Sequence, residues 1–198
     1  MLEIIDLEVH YADKTLLSSV CFHLNAGELI HIQGSNGAGK TTLLNVLAGI
    51  MLPSDGGVMF MGQSIHKNLI NYQSQLCYIG HQTGVNQHLT PRTHCHFDLN
   101  IDPATSEQWI QNIGLSNYAD VPCAQLSFGQ RRLVGLLRLN HNFKHIWLLD
   151  EPFVGLDHVA VDKLVSKLNN HLQAGGRIVL TSHQAIPETL ANYSKYVL

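Results

Sequence analysis

The sequence predicts an α/β fold built on a parallel sheet, with polar chemistry gathered at one end of the strands. Three observations predict it. Gly34-Ser35-Asn36-Gly37-Ala38-Gly39-Lys40-Thr41 fits G-x-x-x-x-G-K-[ST], a glycine-rich loop that turns a strand into a helix and cradles phosphate. Ile146-Trp147-Leu148-Leu149 is wholly apolar and ends in Asp150-Glu151, as a strand buried on both faces would. Arg177-Ile178-Val179-Leu180-Thr181 reads as another buried strand and runs into Ser182-His183-Gln184. In such a sheet, ligands gather beyond the carboxyl ends of the strands.

Composition narrows the field. A chain of 198 residues suits one domain, with room for a small inserted subdomain. Hydrophobic residues make up 45% and charged residues 14%. That builds a full core and leaves a surface poor in charge, of the kind a large partner covers. The net charge of −3 and the absence of a basic tail speak against nucleic acid as partner. No apolar run reaches the length of a membrane span. Met1-Leu2-Glu3-Ile4-Ile5-Asp6 carries acids where a secretory leader carries bases, so it reads as folded chain. Cys21, Cys77, Cys95 and Cys123 form no C-x-x-C pair and read as free thiols in a reducing cytoplasm. His94-Cys95-His96 has no further ligand pair nearby and reads as a surface loop rather than a metal site.

In chain order, Leu2, Ile4, Leu7 and Val9 alternate partly with acids and predict an edge strand of an antiparallel sheet. Tyr11-Ala12-Asp13-Lys14 is a turn, and Leu16 to Leu24 a second strand. Tyr11 could stack on an adenine ring or lie over the hairpin, and the residues leave both open. Asn25-Ala26-Gly27 turns into the strand Glu28 to Gln33, which enters the glycine loop. Thr42 to Gly49 predicts a helix with Leu43, Leu44 and Leu47 on one stripe. Pro53-Ser54-Asp55-Gly56-Gly57 is a plain turn. Val58 to Met61 and Leu76 to Ile79 are strands, the second leading into Gly80-His81-Gln82-Thr83-Gly84. Gln82, at a strand end, is placed to touch Mg²⁺ or the attacking water.

From Leu89 to Ala119 the character changes. Pro91 and Pro103 break the chain, and Ser106 to Ile113 and Asn117 to Val121 have helical character. This predicts a helical insertion without a large core of its own, facing a partner. Leu126-Ser127-Phe128-Gly129-Gln130 then opens an apolar helix with Ser127 as N-cap, a second anion-binding helix start. Gly155-Leu156-Asp157 precedes a helix from about His158 to Leu172, and Gly175-Gly176 turns into the last strand.

The chemistry follows from these positions. Backbone N–H groups and a helix dipole converge at the glycine loop. Lys40 adds a mobile charge for the β- and γ-phosphates, and Thr41 and Asp150 are placed to hold Mg²⁺. Glu151 is placed to orient or deprotonate water, and His183 to donate to the γ-phosphate.

This ordered series resembles the nucleotide-binding subunits of ABC transporters over nearly the whole length. Gly34 to Thr41, with Thr42, matches Walker A, and Tyr11 the adenine-stacking aromatic. Gln82 matches the Q-loop, and Asp150 and Glu151 match Walker B with its catalytic glutamate. Asp157 matches the D-loop and His183 the switch histidine. Leu126 to Gln130 matches the signature L-S-G-G-Q, with Phe128 in place of its first glycine. Within the family the chain is most similar to the haem-exporter ATPases of cytochrome c maturation, on Leu24 to Leu29, Ile79 to Gln82, Trp147 to Phe153 and Thr181 to Gln184.

The resemblance implies a P-loop NTPase domain spanning 1–198. A RecA-like core, an antiparallel β subdomain and a helical signature subdomain near 89–140 would make it up. It implies ATP and Mg²⁺ as ligands and ATP hydrolysis as the activity. A head-to-tail homodimer would place each ATP between Lys40 of one copy and Ser127, Phe128, Gly129 and Gln130 of the other. It further implies integral membrane partners of the CcmB or CcmC kind, no nucleic acid, no direct haem binding, and a place on the cytoplasmic face of the inner membrane. Another small ABC exporter, a soluble ABC ATPase and a binding module without turnover are the competing readings. Intact Glu151 and His183 oppose the last. Three departures stand out: Leu133 for a common arginine, Thr93-His94-Cys95 for an acidic stretch, and Gly155 for a D-loop alanine.

Overall fold

The computed structural model describes residues 1–12, 14–140, 144–183, 185–190 and 193–198. Asp13 of the predicted first turn and Gln184 of the predicted last motif lie outside them. The chain forms two units. One comprises Met1–His81, Phe143–Pro152 and Val165–Leu198, the other Gln82–Asn142 and Phe153–Leu164. The first runs β1 (Leu2–Tyr11), β2 (Lys14–Leu24), β3 (Leu29–Gln33), α1 (Lys40–Leu47), β4 (Asp55–Phe60), β5 (Gln63–Ser64), α2 (Leu69–Ser74) and β6 (Leu76–Ile79). The second contributes α3 (Pro91–Phe97), α4 (Pro103–Asn112) and α5 (Phe128–Leu136). There follow β7 (Ile146–Asp150), α6 (His158–Gln173), β8 (Arg177–Thr181) and β9 (Ser194–Val197).

The first unit holds an antiparallel sheet, order β2-β1-β4-β5, and a parallel one, order β6-β7-β8-β3-β9. β1 is not the predicted edge strand. Leu2 pairs with Leu24 on one side and Phe60 on the other, because a strand this apolar is best covered by two neighbours. Its inward positions change parity, from Leu2 and Ile4 to Leu7 and Val9, yet all four are buried. A bulge at Asp6, with φ 41°, absorbs the extra residue. The predicted turn Pro53–Gly57 is likewise partly strand, since Asp55–Gly57 already belong to β4. Gly56 has φ 70° and faces that bulge, where a Cβ would run into the carbonyls of Ile5 and Asp6.

The parallel sheet is the buried layer. All five residues of β7 are buried, and Ile178, Val179 and Leu180 are fully so; each such aliphatic side chain contributes about 2 kcal/mol. β9 is absent from the sequence-based expectation. It is an edge strand paired with β3 from Ile30↔Ser194 to Gln33↔Val197, with Tyr196 packed on Phe22 at 5.1 Å. α2 is a second addition. It supplies the end of α1: the Tyr72 hydroxyl donates to Leu47 O (2.7 Å) and Gln73 Nε2 to Ala48 O (3.0 Å). Burial raises the Tyr72 pKa and keeps it a neutral donor.

His171 of α6 stacks on Trp147 of β7, centroids 3.7 Å apart and planes 4° from parallel. Burial outweighs its hydrogen bonds and lowers its pKa from 6.5 to about 4. The neutral ring is therefore the folded form. Its contribution to stability is complete above pH 6.5 and is lost as pH falls toward about 4. Denaturant midpoints measured across that window should fall with acidification, and His171→Phe, which keeps the stack, should flatten the slope.

In the second unit the two prolines start helices rather than breaking the chain. Pro91 and Pro103 stand in the first turns of α3 and α4, where a missing N–H costs nothing. The side chains of Thr90 and Asp102 serve as caps. Thr90 Oγ1 accepts the Thr93 N–H (3.2 Å), and Asp102 Oδ1 accepts the Thr105 N–H (3.0 Å). The insertion's buried residues share one core with the chain that follows it. Cys95, Leu99, Ile110, Leu115, Cys123, Leu126, Val134 and Leu137 are buried together. Each short element gives one or two of them, so no apolar run announces the core.

His94-Cys95-His96 lies on α3, not in a surface loop. His94 joins Asp98 through Nδ1 (2.6 Å) and Asn86 O through Nε2 (3.1 Å). Cys95 is fully buried, and desolvation pushes its thiol up to about 11.

Candidate functional site

β3 delivers the glycine loop. Gly37 and Gly39 have φ of 81° and 93°, which only glycine adopts freely. A Cβ on Gly39 would also stand 2.7 Å from Leu17 Cδ2. Gly39 is the N-cap of α1 and offers no side chain to the first-turn N–H groups. Such groups suit an anion. Gly34, Ser35 and Ala38 complete the loop without lining the cleft it borders, with Ala38 N–H donating to Ser35 O (3.2 Å). Lys40 is 7% exposed, and its Nζ donates to Gly34 O (2.8 Å) and Ser35 O (2.9 Å). The ammonium is thus pinned over the mouth of the loop.

Strand register brings the acids there. Asp150 lies opposite Thr181, and Thr181 opposite Ile32, so β7, β8 and β3 end at one level. The Thr181 hydroxyl donates to Asp150 Oδ1 (2.6 Å) and the Thr41 hydroxyl to Asp150 Oδ2 (2.7 Å). Thr41 and Asp150 put two hard oxygens side by side. That suits Mg²⁺, which takes few protein ligands and fills its octahedron with water and phosphate.

Glu151 has φ 53°, a conformation that costs a non-glycine residue about 1 kcal/mol. Its N–H is held by Thr181 O (3.2 Å) and Thr181 Oγ1 (3.1 Å). The kink turns the carboxylate off the strand axis. Glu151 Oε2 accepts the His183 N–H (3.0 Å), and His183 Nε2 stands 3.4 Å from Oε1. Glu151 is 6% exposed while the His183 side chain is 48% exposed. A shielded carboxylate thus sits beside a ring that reaches solvent.

These groups line one cleft of about 450 Å³, with Asn36, Gly37, Gly39, Lys40, Thr41, Thr42, Asp150, Glu151 and His183 among its walls. That volume is in the range of small-ligand sites. Leu16 and His81 line it too; sequence reasoning assigns a role to neither. Tyr11 is not part of this wall: it is 77% exposed where β1 turns into β2, paired with Lys14.

Two further residues escape sequence reasoning. Thr181 orients Asp150 and Glu151 while fully buried; a polar residue closing an apolar strand is the available signal. His31 is 4% exposed within β3. Gln33 Nε2 donates to its Nδ1 (3.3 Å), which leaves Nε2–H to donate to Ser182 O (3.3 Å). Burial lowers its pKa and keeps it neutral. It anchors the residue that precedes His183.

The remaining predicted residues belong to the second unit. Ser127 caps α5 in a reciprocal box: its Oγ accepts Gln130 N–H (3.2 Å), and Gln130 Oε1 accepts Ser127 N–H (2.8 Å). Phe128 is half exposed. Asp157 caps α6, its Oδ1 accepting Ala160 N–H (2.8 Å). Gln82 is exposed, and the chain just after it is tied down. Arg138 donates to Thr83 O and, at 3.2 Å, to Gly84 O, and lies 3.6 Å from Asp98, the partner of His94. Leu133 packs against the unit's core, which accounts for an apolar residue there.

Known proteins resemble the chain in sequence and in fold. The ABC transporter family model matches residues 17–154. The cytochrome c biogenesis ATP-binding export protein CcmA of Legionella pneumophila (strain Lens) is 44% identical over 200 residues, covering 100% of both chains. The protein of that name from Escherichia coli (strain K12) is 41% identical over 187 residues, 94% of this chain and 90% of that one. Among solved structures, an ATP binding subunit of an ABC transporter superposes with a TM-score of 0.81 at 26% identity, covering 100% of this chain and 85% of that one. An ATP-binding cassette in a dimeric post-hydrolysis state shares the fold, with a TM-score of 0.80 at 20% identity over 93% and 88% of the two chains.

Proposed function

The chain belongs to the ABC transporter family, in the branch of the cytochrome c biogenesis ATP-binding export proteins, and from that premise we propose that it hydrolyses ATP to drive a membrane exporter of cytochrome c biogenesis. The work would be haem export or the release of haem from its chaperone. The observation that carries the catalytic part is the meeting of Lys40, Thr41, Asp150, Glu151 and His183 around one cleft.

In this reading Lys40 and the α1 N-terminus bind the phosphates and offset their charge. Thr41 and Asp150 would hold Mg²⁺, which when bound would supply positive charge to offset that of the phosphates. Glu151 orients the attacking water and takes its proton; His183 donates to the γ-phosphate. His31 and Thr181 hold these two groups in place. Ser127, Phe128, Gly129 and Gln130 serve the nucleotide of a second copy, head to tail, and Asp157 stands at that junction. Gln82 would touch Mg²⁺ or the attacking water, and Tyr11 would stack on the adenine. Support for the shared site is the start of α5, a helix N-terminus of the kind that takes anions, on a unit without the glycine loop.

The motion that ATP drives would pass to membrane subunits of the CcmB or CcmC kind. No nucleic acid and no direct haem contact is involved. Among the described residues no helix is long and apolar enough to cross a membrane, which suits a peripheral subunit on the cytoplasmic face of the inner membrane.

Deleting the gene should abolish covalent haem on c-type cytochromes, read by haem staining, with rescue by the wild type and not by Lys40→Ala. Normal holocytochrome c in the deletion strain would overturn the biogenesis role and favour another exporter, while leaving the ATPase assignment standing.

A further inference from the structure

Two of the sequence's departures meet in space. Gly155 has φ 77°, and a Cβ built on it would stand 2.6 Å from Phe128 Cδ1 and 2.7 Å from Cε1. The Phe128 ring therefore occupies the room that any side chain at 155 needs. The backbones also touch: a Cβ on Gly129 would run into the Gly155 carbonyl oxygen. One residue before Phe128 is Ser127, which caps α5; two residues after Gly155 is Asp157, which caps α6.

We propose that Phe128 is a positioning residue whose ring, seated in the socket left by Gly155, locks the start of α5 to the turn before α6. Ser127 and Asp157 then present as one rigid piece to the nucleotide of a second copy. This inference rests on the shared-site reading above.

The test is a double-mutant cycle of Phe128→Ala, Gly155→Ala and both together, read as steady-state ATPase kinetics and as nucleotide-free unfolding midpoints. In the Phe128 background, Gly155→Ala should lower kcat about tenfold with a smaller change in KM, because Lys40 and the α1 N-terminus, which hold the phosphates, lie outside the altered turn. In the Phe128→Ala background the same change should cost about threefold or less. The penalty of a positive φ is common to both backgrounds and cancels, so the difference isolates the ring.

Equal losses in both backgrounds, or a loss carried by KM, overturn the proposal. If Gly155→Ala does not fold, Phe128→Ala alone decides. Amides of residues 154–158 should then exchange faster in nucleotide-free protein while kcat falls; unchanged exchange overturns the lock. No hydrolysis by the wild type would overturn the ATPase reading and this inference with it, whereas hydrolysis without coupling overturns the lock alone.

Discussion

Lys40→Ala lowers ATP turnover by about 100-fold or more and leaves the protein folded. The magnitude is that of removing a preorganised charge from a developing phosphoryl anion. The fold survives because of what Lys40 touches. Its two acceptors, Gly34 O and Ser35 O, belong to the glycine loop, and the loss of two such bonds costs about 1–3 kcal/mol. α1 keeps Leu43, Leu44, Val46 and Leu47 buried without it. Phosphate release and a thermal melt on the same preparation check both halves. Hydrolysis at the wild-type rate would remove the glycine loop from the mechanism.

Glu151→Gln slows hydrolysis by about 100-fold or more and accumulates an ATP-bound dimer. A carboxamide cannot take the proton of water, and loss of a general base costs about 10²–10⁴-fold. The substitution is isosteric, and the amide oxygen can still accept the His183 N–H that Glu151 Oε2 accepts. The kinked backbone stays held by Thr181. ATP binding is therefore kept while its consumption stops, and closed dimers should build up. Size-exclusion chromatography with light scattering at saturating ATP-Mg²⁺ reads this; a variant that remains monomeric sinks the shared site.

The fold's main lines are legible because burial on both faces leaves an unmistakable record. β6 and β8 match the predicted strands residue for residue, and β7 is the run that ends in Asp150. The β1 bulge is not legible as such, since a skip in alternation is ambiguous until Gly56 is seen facing it. Pro91 and Pro103 mislead because proline both ends and begins helices, and only the Thr90 and Asp102 caps decide which. β9 escapes because a four-residue edge strand with exposed Ser194 and Lys195 shows only Tyr196 and Val197 as apolar residues, too few to mark a period.

For the site, the sequence by itself determined the chemical inventory: Lys40, Thr41, Asp150, Glu151 and His183 announce themselves by motif and by their place after apolar strands. What only the tertiary structure decided is how those groups are held. Register sets Thr181 between Asp150 and Ile32. Burial keeps His31 neutral under Ser182, and the space above Gly155 is filled by Phe128. Residue types and local spacing are written along the chain, where the chemistry of a motif resides. Register, burial and free volume belong to pairs of residues far apart in it, and these exist only once the strands and helices have packed.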